Sequence, residues 1–303
     1  MIDFQKIDLA RREEYLRYLR TDEERGCQYT FANLSLWGRQ QVAIVDGYLV
    51  LFSQFEKRSV YLFPMGKGDV KPVLDAIIQD AHERGILCRI AGLNANECLL
   101  LEELYPGRFR FYPDRDSCDY VYSIEELATL AGRKFQKKRN HLNRFRQNHP
   151  DAYIEPITDA NLEAVQEMVC RWYDQRLVED PQADFHLEQR ALIRAFRNMD
   201  ALQMEGIVLM ENGEILAMTM GSPLSDVTFD IHFEKAREDV DGAYPAINQA
   251  FAAHLREKYP NLQYLNREDD MGIAGLRKAK LSYNPHHLVV KFWARLWEDA
   301  DED

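Results

Sequence analysis

Residues 205–220 read Glu-Gly-Ile-Val-Leu-Met-Glu-Asn-Gly-Glu-Ile-Leu-Ala-Met-Thr-Met, two apolar runs joined by Asn212-Gly213. An Asn-Gly pair between apolar runs predicts a β-hairpin, because a type I′ turn needs positive φ at both central residues. Earlier in the chain, Asp46-Gly47 joins a second pair of runs, Val-Ala-Ile-Val and Tyr-Leu-Val-Leu-Phe. The sequence therefore predicts two hairpins, one in each half.

The segments after the two hairpins follow the same order: strand, loop, helix, strand, helix. They are predicted at 60–63, 73–81, 86–91 and 94–104, and again at 228–233, 244–259, 262–265 and 273–281. Pro72 and Pro245 each fall in the first turn of the equivalent helix, where a missing N–H costs least. The repetition predicts two copies of one α+β unit, at 1–130 and 151–303. Each unit is expected to be a mixed, mostly antiparallel sheet flanked by helices.

The segment between the two copies, residues 131–150, is strongly basic. Residues 132–146 include seven Lys or Arg, and no acidic residue occurs between Glu126 and Asp151, although the formal net charge is −12. Apolar residues at spacings near four predict a helix that docks through one face. That face comprises Ala131, Phe135, Leu142 and Phe145.

A helix face that only meets solvent usually mixes the signs of its charges, so this segment favours an anionic partner such as tRNA. A solvated charged face is the alternative interpretation. The side chains expected to bind a polyanion are Arg133, Lys134, Lys137, Lys138 and Arg144.

Composition and cysteine spacing narrow the class of protein. The 303 residues are 46% hydrophobic and 29% charged, as in a folded protein, and no apolar run approaches the roughly 20 residues of a membrane-spanning helix. The N-terminus lacks the apolar core of a signal peptide.

Five scattered cysteines without a C-x-x-C pair predict reduced thiols, a cytoplasmic location and no metal site. P-loop, G-x-G-x-x-G and H-E-x-x-H motifs do not occur.

Four blocks, at 132–145, 228–236, 242–248 and 264–280, form a distinctive combination. They include Gly-Arg-Lys-Phe-Gln-Lys-Lys-Arg, Thr-Phe-Asp-Ile-His-Phe-Glu-Lys-Ala, Gly-Ala-Tyr-Pro-Ala-Ile-Asn and Leu-Asn-Arg-Glu-Asp-Asp-Met-Gly-Ile-Ala-Gly-Leu-Arg-Lys-Ala-Lys. Together they resemble the soluble C-terminal domain of phosphatidylglycerol lysyltransferases. That domain is a tandem GNAT (acyl-CoA N-acyltransferase) fold, akin to the Fem-type aminoacyltransferases. In a GNAT unit two central strands splay apart, and the acyl donor inserts between them.

The resemblance implies transfer of an aminoacyl group from charged tRNA to an amine or hydroxyl acceptor, a small molecule or a lipid headgroup. Acyl-CoA enzymes cradle pyrophosphate with R-x-x-G-x-G/A, whereas residues 235–242 read Lys-Ala-Arg-Glu-Asp-Val-Asp-Gly, with three repelling carboxylates. Acetyl-CoA is therefore disfavoured, and no cofactor is expected. Two alternatives stay open: an acyl-CoA-dependent N-acyltransferase, and a non-catalytic nucleic-acid-binding or regulatory protein with a GNAT fold.

Polar residues of the second copy form the candidate active site. Asp230 and His232 lie two apart on one predicted strand and share a sheet face, as a base and its orienting partner do. Residues 267–270 directly follow the next strand, where we expect an acceptor to bind and Asp269 to hold a cationic group. A buried polar pair and a surface turn are the alternatives. The candidate catalytic residues are Asp230, His232 and Asp269; the candidate substrate-binding residues are Asn248, Arg267, Asp270 and Lys278.

Overall fold

A computed structural model describes residues 1–20, 24–54, 58–182 and 185–297, and its chain divides into two compact units. The first unit comprises Met1–Asp119, Asp269–Gly272 and the chain from Val289 onward; the second comprises Tyr120–Glu268 and Ile273–Leu288. This division differs from the predicted one at 130 and 151. The basic segment lies wholly within the second unit, and residues 120–130 join it there.

The first unit contains a sheet of mostly antiparallel strands. Its strands are β1 Gln5–Lys6, β2 Gln40–Val45, β3 Tyr48–Gln54, β4 Ser59–Leu62, β5 Met65–Gly66, β6 Arg89–Leu93, β7 Phe109–Pro113 and β15 Phe292–Leu296. Its α-helices are α1 Arg12–Leu19, α2 Phe31–Leu36, α3 Lys71–Arg84 and α4 Ala95–Leu104. The strand order is β1-β2-β3-β4-β6-β15-β7, with β5 on β3, and β4 and β6 are parallel.

The second unit contains a sheet of the same kind. Its strands are β8 Asp119–Ser123, β9 Tyr153–Pro156, β10 Glu205–Glu211, β11 Glu214–Pro223, β12 Thr228–Ala236, β13 Tyr264–Asn266 and β14 His287–Val289. Its α-helices are α5 Ile124–Thr129, α6 Gln136–Asn148, α7 Leu162–Glu179, α8 His186–Arg197, α9 Ala243–Lys258 and α10 Ala274–Leu281. The strand order is β9-β10-β11-β12-β13-β8-β14, and β12 and β13 are parallel.

The two sheets have the same strand order, and in each the fourth and fifth strands are parallel. The sixth strand of each sheet comes from the other half of the sequence, because β15 completes the first sheet and β8 the second. The predicted pair of repeated α+β units is therefore confirmed. The exchanged strands account for the shift of the unit boundaries.

Both predicted hairpins are confirmed. Asp46 and Gly47 have φ of 48° and 79°, and Asn212 and Gly213 have φ of 51° and 80°. These are the left-handed values that a type I′ turn requires at both central positions. The turns fix the register of β2 on β3 and of β10 on β11.

The basic segment forms the expected helix, α6, after a short 3-10 turn at Arg133–Phe135. Phe135, Leu142 and Phe145 are buried in the core of the second unit, together with residues of α5 and α9. Ala131 was expected on the same face but is exposed. Gly132, at φ 85°, turns the chain before the helix begins, so Ala131 is not part of it.

All five cysteines are free. Within the described ranges, no helix combines the length and the apolar character that crossing a membrane requires.

Candidate active site

The site begins where β12 and β13 stop pairing. Their parallel ladder covers three positions and ends at the pair Asp230 and Asn266. Strand β12 continues to Ala236, whereas β13 ends at Asn266. We call the region of residues 231–236 and 267–268 the β12–β13 gap. It corresponds to the splayed strands that the GNAT resemblance implies.

His232 lies at the start of this gap among three polar side chains. Its Nδ1 is 3.0 Å from Glu268 Oε1 and 3.6 Å from Asp230 Oδ2, and its Nε2 is 2.8 Å from Ser222 Oγ. A carboxylate only accepts hydrogen bonds, so Nδ1 carries the proton and Nε2 accepts from the Ser222 hydroxyl. We call Ser222, Asp230, His232 and Glu268 the His232 cluster.

The members of the His232 cluster differ in exposure. The side chains of Asp230 and His232 are fully buried, whereas that of Glu268 is 19% exposed. Solvent and ligands therefore meet the cluster through Glu268. Ligand atoms of Asp230, His232 and Glu268 lie within 4.8 Å of one another, so this is also where the described residues would hold a metal ion. The absence of a metal site stays a prediction.

A register shift in the sheet positions His232. Met220 is opposite Phe233 and Gly221 is opposite Ile231, so His232 has no opposite residue on β11. Such irregularities redirect side chains and are frequent beside active sites. Gly221 makes the close approach possible, since an added Cβ would lie 2.0 Å from the carbonyl oxygen of Asp230.

Glu268 reaches His232 from an unusual backbone conformation. Its φ is 56°, in the left-handed region that glutamate rarely adopts. Its N–H donates to Asn266 Oδ1 at 2.7 Å, and its carbonyl accepts from the Tyr120 N–H at 3.0 Å. Hydrogen bonds at both its N–H and its carbonyl therefore hold Glu268 in a backbone conformation that costs free energy.

A second polar group is centred on Glu234, which lies further along β12. Its Oε1 accepts from Arg267 Nη2 at 2.8 Å, and its Oε2 accepts from Asn248 Nδ2 at 3.2 Å. Arg267 Nη1 and Asn248 Oδ1 are buried and make no hydrogen bond within the described part of the chain. Lys280 donates to the Arg267 carbonyl at 2.5 Å and holds the backbone there. The group retains a donor and an acceptor for a ligand.

Lys138 of α6 belongs to this second group. Its Nζ lies 3.7 Å from the centroid of the Tyr283 ring, and the Arg267 guanidinium lies 5.1 Å from the same ring. Burial, and then the charge of Arg267, lower the pKa of Lys138 to about 8. Lys138 is half-buried, and its part in binding a polyanion stays a prediction. We call Lys138, Glu234, Asn248, Arg267 and Tyr283 the Arg267 group.

The carboxylates that follow Glu268 serve the first unit. Asp270 is fully buried, accepts from the Gly272 N–H at 2.9 Å and pairs with Arg115 at 3.3 Å. Asp269 accepts from the Met271 N–H at 3.2 Å. The carboxylate placed against His232 is that of Glu268, adjacent to the predicted Asp269. The two aspartates also order the turn that follows them, and their predicted roles at the site stay predictions.

The remaining predicted cations lie on the surface. Lys278 is exposed on α10, and so are Arg133, Lys134, Lys137 and Arg144. Lys134 pairs with Glu126 and Arg144 with Asp241, each at 2.7 Å, although no acidic residue is near them in sequence. Arg133 and Lys137 form no ion pair with any residue that the structure describes.

Sequence reasoning did not select Ser222, Glu234 or Glu268. Glu234 continues the alternation of Asp230 and His232 along β12, so the period of two was a sufficient signal. Glu268 was within the predicted loop, but nothing in that loop's sequence distinguished it from Asp269. Ser222 reaches His232 through cross-strand pairing, which no local pattern encodes.

Comparisons with known proteins agree with this architecture. The chain is similar to a conserved protein of unknown function from Bacteroides thetaiotaomicron VPI-5482, at 40% identity and a TM-score of 0.92, covering 98% of this chain and 100% of the other. It is similar to L-PGS from Bacillus licheniformis, at 16% identity and a TM-score of 0.70, covering 96% and 93%. It is also similar to a tandem GNAT protein from the clavulanic acid biosynthesis pathway, at 7% identity and a TM-score of 0.51, covering 99% of this chain and 100% of the other. These likenesses confirm the tandem GNAT fold.

Two sequence comparisons complete the assignment. An uncharacterized protein of Mycoplasmoides gallisepticum is 27% identical over 184 residues, which are 59% of this chain and 56% of that protein. The match thus spans about half the length of that relative. The profile of the family described as "Phosphatidylglycerol lysyltransferase, C-terminal" matches residues 20–295, and the chain therefore belongs to that family.

Proposed function

We propose that this protein transfers an aminoacyl group from charged tRNA to an amine or hydroxyl acceptor, in the cytoplasm, with its second unit as the catalytic unit. The observation that carries the proposal is the pair of polar groups in the β12–β13 gap, in a chain of the lysyltransferase family. The His232 cluster supplies proton-transfer groups. The Arg267 group supplies a buried donor and acceptor beside it.

The chemistry of aminoacyl transfer matches these two groups. The donor is an activated ester, so the site has to remove a proton from the acceptor and stabilise the oxyanion that forms on the carbonyl. The His232 cluster takes up the proton. Arg267 Nη1, a charged donor with no hydrogen bond among the described residues, suits the oxyanion. Asn248 Oδ1 suits the α-amine of the aminoacyl group.

The N-terminus of α9 supports an ester donor rather than acyl-CoA. In acyl-CoA enzymes of this fold the corresponding helix terminus holds the pyrophosphate. Here α6 packs against this helix terminus, so closely that an added Cβ on Gly242 would lie 2.9 Å from both His141 O and Phe145 Cβ. Arg237 already pairs with two carboxylates, and Asp241 pairs with an arginine of α6.

The exposed side of α6 supports tRNA as the donor. Arg133 and Lys137 are exposed cations without an ion-pair partner in the described chain, and neutralising phosphates with such side chains releases counterions. Lys134 and Arg144 can exchange their carboxylates for phosphates. The acceptor is a small molecule or a lipid headgroup.

The test is a transfer assay with purified protein and a panel of tRNAs, each charged with its radiolabelled amino acid. Acceptors are supplied as phosphatidylglycerol vesicles, as small amines and as a host-cell extract. We expect label to leave one of the tRNAs only in the presence of an acceptor fraction. His232→Ala should lower the rate about 10²–10⁴-fold if the cluster moves the proton. His82→Ala, an exposed histidine of α3, is the matched control.

Absence of transfer from every charged tRNA would contradict the proposal. Acetylation of the same acceptors by acetyl-CoA would then favour the acyl-CoA-dependent alternative. Salt-sensitive tRNA binding without any transfer would favour the binding-protein alternative.

A further inference from the structure

We propose that Glu268 is the general base of the transfer reaction and that His232, fixed by Ser222, is its positioning residue. This inference rests on the proposed function and names the groups that carry its proton transfer. It departs from the expectation that Asp230 or His232 takes the proton directly.

Burial separates the two roles within the His232 cluster. The His232 side chain has no exposed surface, and both ring nitrogens already have partners, Glu268 on Nδ1 and Ser222 on Nε2. Its only basic atom, Nε2, therefore faces a serine that is itself buried. Glu268, by contrast, keeps 19% of its side chain exposed. An acceptor in the β12–β13 gap meets Glu268 first.

The backbone at Glu268 supports the same assignment. A φ of 56° would be less costly for glycine or asparagine, yet this position carries a glutamate. Backbone strain of this kind persists where the surroundings enforce it, and it is concentrated at functional sites. The hydrogen bonds to Asn266 and Tyr120 hold the strained residue, and His232 holds its carboxylate.

The proposed step balances without any other reactant. The acceptor nitrogen or oxygen forms a bond to the ester carbonyl carbon while its proton moves to Glu268. The bond from that carbon to the ribose oxygen of the tRNA then breaks, and Glu268 returns the proton to the leaving oxygen. The His232 Nδ1–H donates to the Glu268 carboxylate and holds it in position before and after the cycle.

The experiment compares transfer rates and melting temperatures of four variants with the parent protein. Glu268→Gln should lower kcat about 10²–10⁴-fold with KM within about threefold of the parent. Glu163→Gln, an exposed glutamate of α7, should match the parent. Glu268→Gly should melt at a higher temperature than Glu268→Ala, because only glycine relieves the strain at positive φ, while both lose transfer.

Two substitutions test the role of His232. His232→Asn keeps an amide N–H donor near the position of Nδ1, whereas His232→Leu removes the donor. The kcat of His232→Leu should therefore fall well below that of His232→Asn with similar KM, a rescue that loss of packing alone does not produce. A Glu268→Gln protein within twofold of the parent would overturn the assignment, as would Glu268→Ala melting above Glu268→Gly. A parent without transfer from any charged tRNA would refute the proposed function, and this inference with it.

Discussion

Arg267 Nη2 donates to Glu234 Oε1 at 2.8 Å, across the gap that opens where β12 and β13 stop pairing. Both side chains are largely buried, at 14% and 11% exposure. Arg267→Met would leave the Glu234 carboxylate buried without its cation, so we expect the free energy of unfolding to fall by about 3 kcal/mol. Urea titration measures this loss.

The double variant Glu234→Met/Arg267→Met removes both charges and should recover most of the lost stability. A double variant as unstable as the sum of its two single variants would show that the pair is not coupled.

Lys138 should react as an amine near neutral pH. Its pKa of about 8 leaves a substantial neutral fraction at pH 8, whereas ordinary lysines titrate near 10.4. With limiting acetic anhydride, acetylation of Lys138 should rise through pH 7–9 and level off, as followed by peptide mass spectrometry. Lys137, its exposed neighbour, is the internal control.

The lowered pKa of Lys138 also predicts how the stability of the fold changes with pH. The unfolded chain binds this proton more tightly than the folded one between about pH 8 and 10.4, so the Lys138 contribution to stability increases with pH in that window. Arg267→Met removes a charge that lowers this pKa and should move the labelling profile to higher pH. A profile for Lys138 that coincides with that of Lys137 would contradict both statements.

The exposed cations of α6 should determine the salt dependence of tRNA binding. Arg133→Ala/Lys137→Ala removes two cations that have no ion-pair partner in the described part of the chain. Each lost phosphate contact should reduce the slope of log K against log salt by about 0.7–0.9. Filter binding between 50 and 200 mM salt, roughly the range over which such contacts are weakened, measures the slope. Lys67→Ala/Arg171→Ala changes the net charge equally at other exposed positions and should leave the slope unchanged.

Gly221 should tolerate no side chain. The added methyl group of Gly221→Ala would lie 2.0 Å from the Asp230 carbonyl oxygen, so β11 has to move away from β12 and the His232 cluster is disturbed. We expect a loss of about 2–3 kcal/mol, as for other overpacked sites, together with loss of transfer. Gly275→Ala is the matched control, because nothing lies near its Cβ position in α10 and alanine favours a helix by about 1 kcal/mol. Equal stabilities of the two variants would refute the close approach.

Local chemistry made much of the fold predictable. Asp46-Gly47 and Asn212-Gly213 specify turns that other residue pairs do not favour, and each turn sets the register of its two strands. The apolar spacing of Phe135, Leu142 and Phe145 located the buried side of α6 in the same way. In these cases the residues that determine the structure are adjacent or within about two helical turns of each other.

The site was predictable only in part, because its contacts join distant segments. Asp230, His232, Asn248 and Arg267 were selected from their positions on predicted elements, and the structure gathers them at the β12–β13 gap. The choice between Glu268 and Asp269 depends on a left-handed backbone conformation that the sequence of the loop does not specify. Likewise, the carboxylates that pair with Lys134 and Arg144 come from α5 and from the loop before α9, so charge counting along α6 missed them.

The exchanged sixth strands have a consequence for synthesis on the ribosome. The second sheet draws all of its strands from the continuous stretch between β8 and β14, so that unit can close as soon as this stretch has emerged. The first sheet, although most of it is translated earlier, lacks the strand between β6 and β7 until residues 292–296 are made. Domains usually fold in the order of their synthesis. Here the half that is translated first is completed last, and its open strand edges need protection while the rest of the chain is translated.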